Sequence, residues 1–203
     1  MLKLLLATNN QGKVREYRSL LNGFSYELVT MAEQGITTVV DEVGESLEEN
    51  ARLKATFLAA ESRLLALADD SGLEVDALGG EPGLLSARYA GVGASDKDRV
   101  DYLLSRLEGI PREKRTARFR CVIAVAAPDG EVEVCSGECQ GVITFESKGE
   151  QGFGYDPIFY LPELGKTMAE LSSETKNRVS HRGQAAGKAR LVLERLKASK
   201  YAG

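Results

Sequence analysis

The sequence predicts an α/β protein on a mixed central sheet, and three observations carry that expectation. In the first half, short apolar runs alternate with amphipathic helical patterns, as parallel strands and their crossover helices do. In the middle, Thr116–Ala127, the turn Pro128-Asp129-Gly130 and Glu131–Cys135 read as an antiparallel hairpin. No internal repeat or low-complexity segment interrupts the 203 residues, a length that suits a single domain, 1–203. A parallel core with an antiparallel extension is a common kind of mixed sheet.

Taken in order, Lys3–Ala7 is a buried strand. The polar loop Thr8-Asn9-Asn10-Gln11-Gly12-Lys13 follows, and then a helix with Val14, Tyr17, Leu20 and Leu21 on one face. Tyr26–Thr30 is a second strand, and Met31–Gly44 is irregular. Ser46-Leu47-Glu48-Glu49 has the form of a capping box opening a helix from Leu47 to about Leu65. Leu64–Ala68 is the next strand and ends in Asp69-Asp70-Ser71-Gly72. Leu73–Val75 with Ala77-Leu78 alternates as a half-buried strand would. Gly79-Gly80-Glu81-Pro82-Gly83 is a dense turn signal, and Ser86–Gly91 is loop. Ser95–Leu107 is a helix whose cap is Ser95 with Asp98. Gly141–Phe145 extends the hairpin region as a further strand. Thr167–Leu171 is a short helical turn, Ser172–Asn177 a second capped start, and Ser180 the N-cap of a last helix reaching about Lys197.

Composition narrows the function classes. A net charge of −4 argues against broad binding to nucleic acid or to an anionic membrane surface. The apolar run Leu2–Ala7 is too short for a signal segment or a membrane span, and three cysteines without finger spacing suggest a reducing cytoplasm. One histidine excludes any mechanism that needs two.

Five stretches carry chemistry, most of them with a plainer alternative. Asp69-Asp70 at a strand's carboxyl edge can hold Mg²⁺ or supply a general base, or can be an Asp-Ser-Gly turn. Thr8–Lys13 between strand and helix can bind phosphate through backbone N–H groups and the helix dipole, or can be an ordinary β-α connection. Asp41-Glu42 is an acidic pair. Phe153-Gly154-Tyr155-Asp156 after a glycine-rich run can offer a ring to a planar ligand, or can be core packing. His181 and Arg182 in a helix's first turn oppose its dipole, a mismatch an anionic or carbonyl-bearing ligand would offset, or His181 can be a surface or satisfied histidine. Together, Lys13, Lys54, Lys176 and Arg182 can neutralise a triphosphate. Asp70, with Asp69 and Asp41-Glu42, can hold Mg²⁺ and activate water, while Phe153 stacks on a base. The set describes metal-assisted hydrolysis of a nucleotide.

The same stretches, with Glu49-Asn50-Ala51, Lys54-Ala55, Gly79-Gly80, Pro82-Gly83, Ser86-Ala87-Arg88-Tyr89 and Gly152–Phe159, resemble the inosine triphosphate pyrophosphatase family, bacterial branch. Its members are also called noncanonical purine NTP or dITP/XTP pyrophosphatases. The likeness spans essentially the whole chain in order. It implies a two-lobed α/β fold with the active site in the cleft between lobes, a homodimer, and Mg²⁺. It implies conversion of ITP, dITP and XTP to the monophosphate and pyrophosphate, which cleans the nucleotide pool. Motif by motif it assigns Thr8, Asn10 and Lys13, within the loop that also holds Asn9, Gln11 and Gly12, to substrate binding. It assigns Lys54 to the phosphates, Asp70 to the base and metal-linked carboxylate, and Ser71 to a substrate contact. Phe153, Gly154, Tyr155 and Asp156 match the base-recognition loop, and Lys176, His181 and Arg182 the remaining contacts. Asp41 or Glu42 is the second metal ligand. A pyrophosphatase for modified pyrimidine nucleotides and a silent nucleotide sensor are the competing readings; the sensor would not need the acids.

Overall fold

Leu4, Leu5 and Leu6 are almost wholly buried, as consecutive residues become only in a strand covered on both faces. The computed structural model describes the backbone of residues 2–201 and side chains through residue 198. Strand β1 (Leu2–Leu6) pairs in parallel with β2 (Tyr26–Thr30) and with β3 (Leu65–Val75), Leu6 standing opposite Leu67. Helix α1 (Gln11–Leu20) joins β1 to β2, and α2 (Leu47–Ser62) precedes β3. Among the described residues an eight-stranded sheet runs β2-β1-β3 and then β5 (Thr116–Ala126), β6 (Val132–Ile143), β7 (Phe159–Leu161) and β8 (Lys166–Thr167), with the two-residue β4 (Pro82–Gly83) pairing antiparallel to β3. Strands β5 and β6 are joined by the tight turn 127–131, and β7 and β8 continue antiparallel. Helices α3 (Asp96–Arg106), α4 (Ser173–Val179) and α5 (His181–Tyr201) complete the chain.

The mixed α/β architecture agrees with the sequence, but several local expectations need correction. Strand β3 does not stop at the acids: it runs unbroken through Asp69-Asp70-Ser71-Gly72, so that stretch is strand and not a turn. The reason lies partly at Gly72, where a Cβ would come within 2.6 Å of the Gly83 carbonyl oxygen. Only glycine lets β4 approach closely enough to pair there. Asp76–Leu78 is a 3-10 turn and not a continuing strand. Helix α2 ends at Ser62, before Leu65, because Leu65 is claimed by pairing with Leu4 of β1. Its capping box is shifted: Ser46 Oγ accepts from Glu49 N–H, but the Glu49 carboxylate reaches Glu45 N–H. Strand β6 is one twelve-residue strand where two shorter ones were expected; Ser136 and Gly137 do not break it between its neighbours β5 and β7. Helix α1 begins at Gln11, so Gln11, Gly12 and Lys13 form its first turn. Helix α5 starts at His181 and continues to Tyr201.

The chain divides into two compact units. The first holds the described residues up to Asp70, Cys121–Gly137 and the described residues from Arg182 on. Its core joins Leu4, Leu6, Tyr17, Leu67, Cys121, Ile123, Ala185, Ala189 and Leu193. The second holds Ser71–Arg120 and Glu138–His181, around Leu73, Leu103, Phe119, Ile143, Ile158, Phe159 and Met168. Among the described residues, no helix is long and apolar enough to cross a membrane.

Candidate active site

In the first unit, adjacent residues of β3 serve opposite faces of the sheet, as the two-residue period of a strand requires. Asp69 is 1% exposed; its carboxylate lies 3.0 Å from Lys13 Nζ and 3.3 Å from Arg182 Nε. Cys121 Sγ, 3.8 Å away, and the buried Tyr17 lie beside it. Burial by itself would raise the Asp69 carboxyl, but Lys13, Arg182 and Lys54 outweigh it and hold the group well below the usual carboxylate range. Asp70 is 8% exposed; its Oδ2 accepts from Asn50 Nδ2 at 3.0 Å, and its Oδ1 lies 3.8 Å from Lys54 Nζ. Here burial is the largest influence and is opposed by Lys54 and Lys13; the net effect, with Glu42 adding, is a carboxyl raised above its ordinary value.

Helical spacing delivers the partners. Asn50 and Lys54 stand four apart on α2, and Lys13 and Glu16 three apart on α1, so each pair shares a face. Lys54 Nζ donates to Glu42 Oε1 at 2.7 Å and to the Asp69 carbonyl oxygen at 2.8 Å. Lys13 Nζ also donates to that carbonyl, at 3.3 Å. Ala7 N–H bonds the Leu67 carbonyl at 2.8 Å, which sets the Thr8 loop alongside the end of the Leu65–Asp69 segment. Asn10 is the N-cap of α1, its side chain accepting from Lys13 N–H, and Thr8 Oγ1 accepts from Asn10 N–H. Asn9 and Gln11 are exposed, and Gly12 is buried under the helix start.

Arg182 answers the puzzle of a cation at a helix start. It is 3% exposed and its charge is met by Asp69 and by Glu16, 2.6 Å away. Asp41 is exposed, whereas Glu42 is tied to the cluster through Lys54. Of the two acids weighed in that loop, geometry brings in Glu42.

The second unit carries the aromatic set. Asp156, 3% exposed, accepts from Phe153 N–H at 2.9 Å and pairs with Lys176 Nζ at 2.5 Å. Lys176 Nζ lies 5.3 Å from the Phe153 ring centroid, a cation–π contact. Gly152, at φ 78°, must be glycine: a Cβ there would sit 2.0 Å from Asp156 Oδ2. Tyr155 is buried and donates its hydroxyl to the Ser86 carbonyl at 2.9 Å. His181 is 3% exposed and stacks on Phe119 at 4.6 Å and 13°. Ser71, half-buried, begins this unit's portion of β3.

Sequence reasoning assigned no role to Asn50, Glu16 or Cys121. The spacing of Asn50 from Lys54, and of Glu16 from Lys13, was the available signal for the first two. Nothing local marked Cys121, which arrives from a strand 52 residues further on.

Among the described residues no group of three or more His, Cys, Asp or Glu side chains forms a metal cage. Asp70 and Glu42 nevertheless suit Mg²⁺, which is commonly held by one or two carboxylates together with substrate phosphates.

The model of the Ham1 family matches residues 4–191. The dITP/XTP pyrophosphatase of Desulforamulus reducens is 53% identical over 96% of this chain and 97% of its own. That of Bacillus subtilis is 46% identical over 96% and 98%. A solved HAM1 protein from Coxiella burnetii superposes with a TM-score of 0.85 at 40% identity, over 96% of this chain and all of that one.

Proposed function

The chain belongs to the Ham1 family, and from that premise we propose that it hydrolyses noncanonical purine nucleoside triphosphates, ITP, dITP and XTP, to the monophosphate and pyrophosphate. It is a nucleoside-triphosphate pyrophosphatase, a hydrolase of phosphoric anhydrides. The observation that carries the reading is Asp70: a nearly buried carboxylate on β3, bonded to Asn50 and set beside Lys54, where burial raises it above its ordinary value. A carboxylate so placed can act as a general base, and a triphosphate needs cations such as Lys54.

In this reading Asp70 takes the proton of a water that attacks the α-phosphorus, and pyrophosphate leaves against Lys13 and Lys54. Asn50 fixes the Asp70 carboxylate. Asp69 stays ionised and anchors Lys13 and Arg182 in place. Asp70 and Glu42 would hold Mg²⁺, which when bound supplies neutralising charge to the phosphates. Thr8, Asn9, Asn10, Gln11 and Gly12 offer the first substrate loop, and Ser71 a further contact. Phe153 stacks on the base, with Gly154, Tyr155, Asp156 and Lys176 shaping its surroundings, and His181 serves as donor to the 6-oxo group. Adenine's 6-amino group would leave such a donor without an acceptor, a mismatch that discriminates by ~10⁴ or more.

The biological role is removal of deaminated purines from the cytoplasmic nucleotide pool. The acting form is a homodimer; exposed Leu53 and Phe57, four apart on α2, are apolar surface of the kind such an interface covers. The test is pyrophosphate release across ITP, dITP, XTP, GTP and ATP, with pyrimidine triphosphates added, with and without Mg²⁺. Equal kcat/KM for all purines would remove the selectivity claim, and full turnover without divalent metal would remove the Mg²⁺ assignment.

A further inference from the structure

The backbone on both sides of Phe153 is held by carboxylates. Phe153 N–H donates to Asp156, and the next amide, Gly154 N–H, donates to Asp96 Oδ2 at 2.7 Å. These two N–H groups flank the Phe153 Cα, so fixing both restrains its φ and ψ and hence the direction of its ring. Each carboxylate carries its own cation: Lys176 on Asp156, and Arg99 on Asp96.

Asp96 does not cap the helix on which it stands. It is the first residue of α3, whose start is already satisfied by the reciprocal capping box of Ser95 and Asp98. Its carboxylate instead reaches 58 residues along the chain to the loop. Arg99 braces it from behind, its NH1 donating to the carbonyls of Ala87 at 3.0 Å and Ala94 at 2.5 Å. Tyr155 OH ties the same loop to the same segment through the Ser86 carbonyl.

We propose that Asp96, braced by Arg99, is a positioning residue that sets the orientation of Phe153 for the purine and so contributes to affinity and base selectivity. This rests on the reading of 153–156 as the base-recognition loop. Asp96 touches no substrate; it acts through the Gly154 amide.

The experiment compares Asp96→Ala, Asp96→Asn and Phe153→Ala for ITP hydrolysis and for competitive inhibition by inorganic tripolyphosphate, which has no base. With Asp96→Ala the KM for ITP rises about tenfold, as loss of one charge-assisted hydrogen bond allows, while kcat and the tripolyphosphate Ki stay within about twofold. Asp96→Asn keeps an acceptor for Gly154 N–H and recovers most of the affinity. Arg99→Gln loosens the carboxylate without removing it and gives the same split at smaller size, which serves should Asp96→Ala not fold. An unchanged KM in Asp96→Ala, or an equal loss of ITP and tripolyphosphate binding, overturns the proposal. If Phe153→Ala raises KM while Asp96→Ala does not, the positioning role alone fails. If Phe153→Ala also leaves KM intact, the base-loop reading fails with it.

Discussion

Around Asp69 and Asp70, the recognition groups ride on regular elements: Lys13, Asn50, Lys54 and Arg182 on helices, the acids on a strand. In the loop 152–156, Phe153 rides on irregular backbone held by Asp156, Asp96 and the Tyr155 hydroxyl. Under the proposed function, the difference follows from what each region would have to do. A polyphosphate is recognised by charge, which long flexible side chains deliver from rigid supports. A planar base is recognised by the attitude of a ring, which depends on backbone angles. The first region therefore stores its function in side-chain identity, and the second in hydrogen bonds to main-chain amides. Substitutions in the first should strike turnover; in the second they should strike affinity or stability.

Asp70→Asn is the largest expected effect. It keeps the shape and an acceptor for Asn50 but removes the base, so kcat falls by about 10³. The melting temperature should barely move. A variant with substantial kcat at saturating ITP and Mg²⁺ would break the contrast at its strongest point.

Lys176→Met tests the second region through stability. It takes the ammonium from a carboxylate that is almost wholly buried, with side-chain exposures of 6% and 4% for Lys176 and Asp156. Breaking a buried pair in this way costs about 3 kcal/mol, or a fall of about 10 °C in Tm for a chain of this size. A thermal shift under about 2 °C would mean the loop does not depend on the pair.

Asn50→Ala is smaller. It removes one hydrogen bond to the Asp70 carboxylate and lowers kcat about tenfold, with KM for ITP nearly unchanged. A rise in KM with kcat intact would move Asn50 from orienting the base to holding substrate.

Much of the fold was legible because its signals are local. The capping box of Ser95 and Asp98, the hairpin turn at 128–130 and the apolar runs of β1, β2 and β5 are each written within a few residues. The acids were misread as a turn because Asp-Ser-Gly has the composition of one. The stretch instead runs extended into Leu73 and Glu74, which pair with β4, and the Gly83 backbone lies too close to Gly72 for any Cβ. The first region's cations were legible as residues, though Asn50 and Glu16 went unassigned beside them. In the second region, Phe153 and Asp156 were legible within one stretch, but Lys176, read with the triphosphate cations, pairs instead with Asp156, and Asp96 was hidden inside a helix start already explained by its cap.

By itself the sequence determined the α/β class, the identity of the charged and aromatic groups, and the chemistry they can perform, because side-chain type and helical or strand period are local properties. Only the tertiary structure decided that Asp69 and Asp70 part to opposite faces with opposite pKa shifts, that Glu42 joins the cluster, and that Arg182 is neutralised from within. Those outcomes depend on burial and on partners tens of residues away, and no local pattern specifies them.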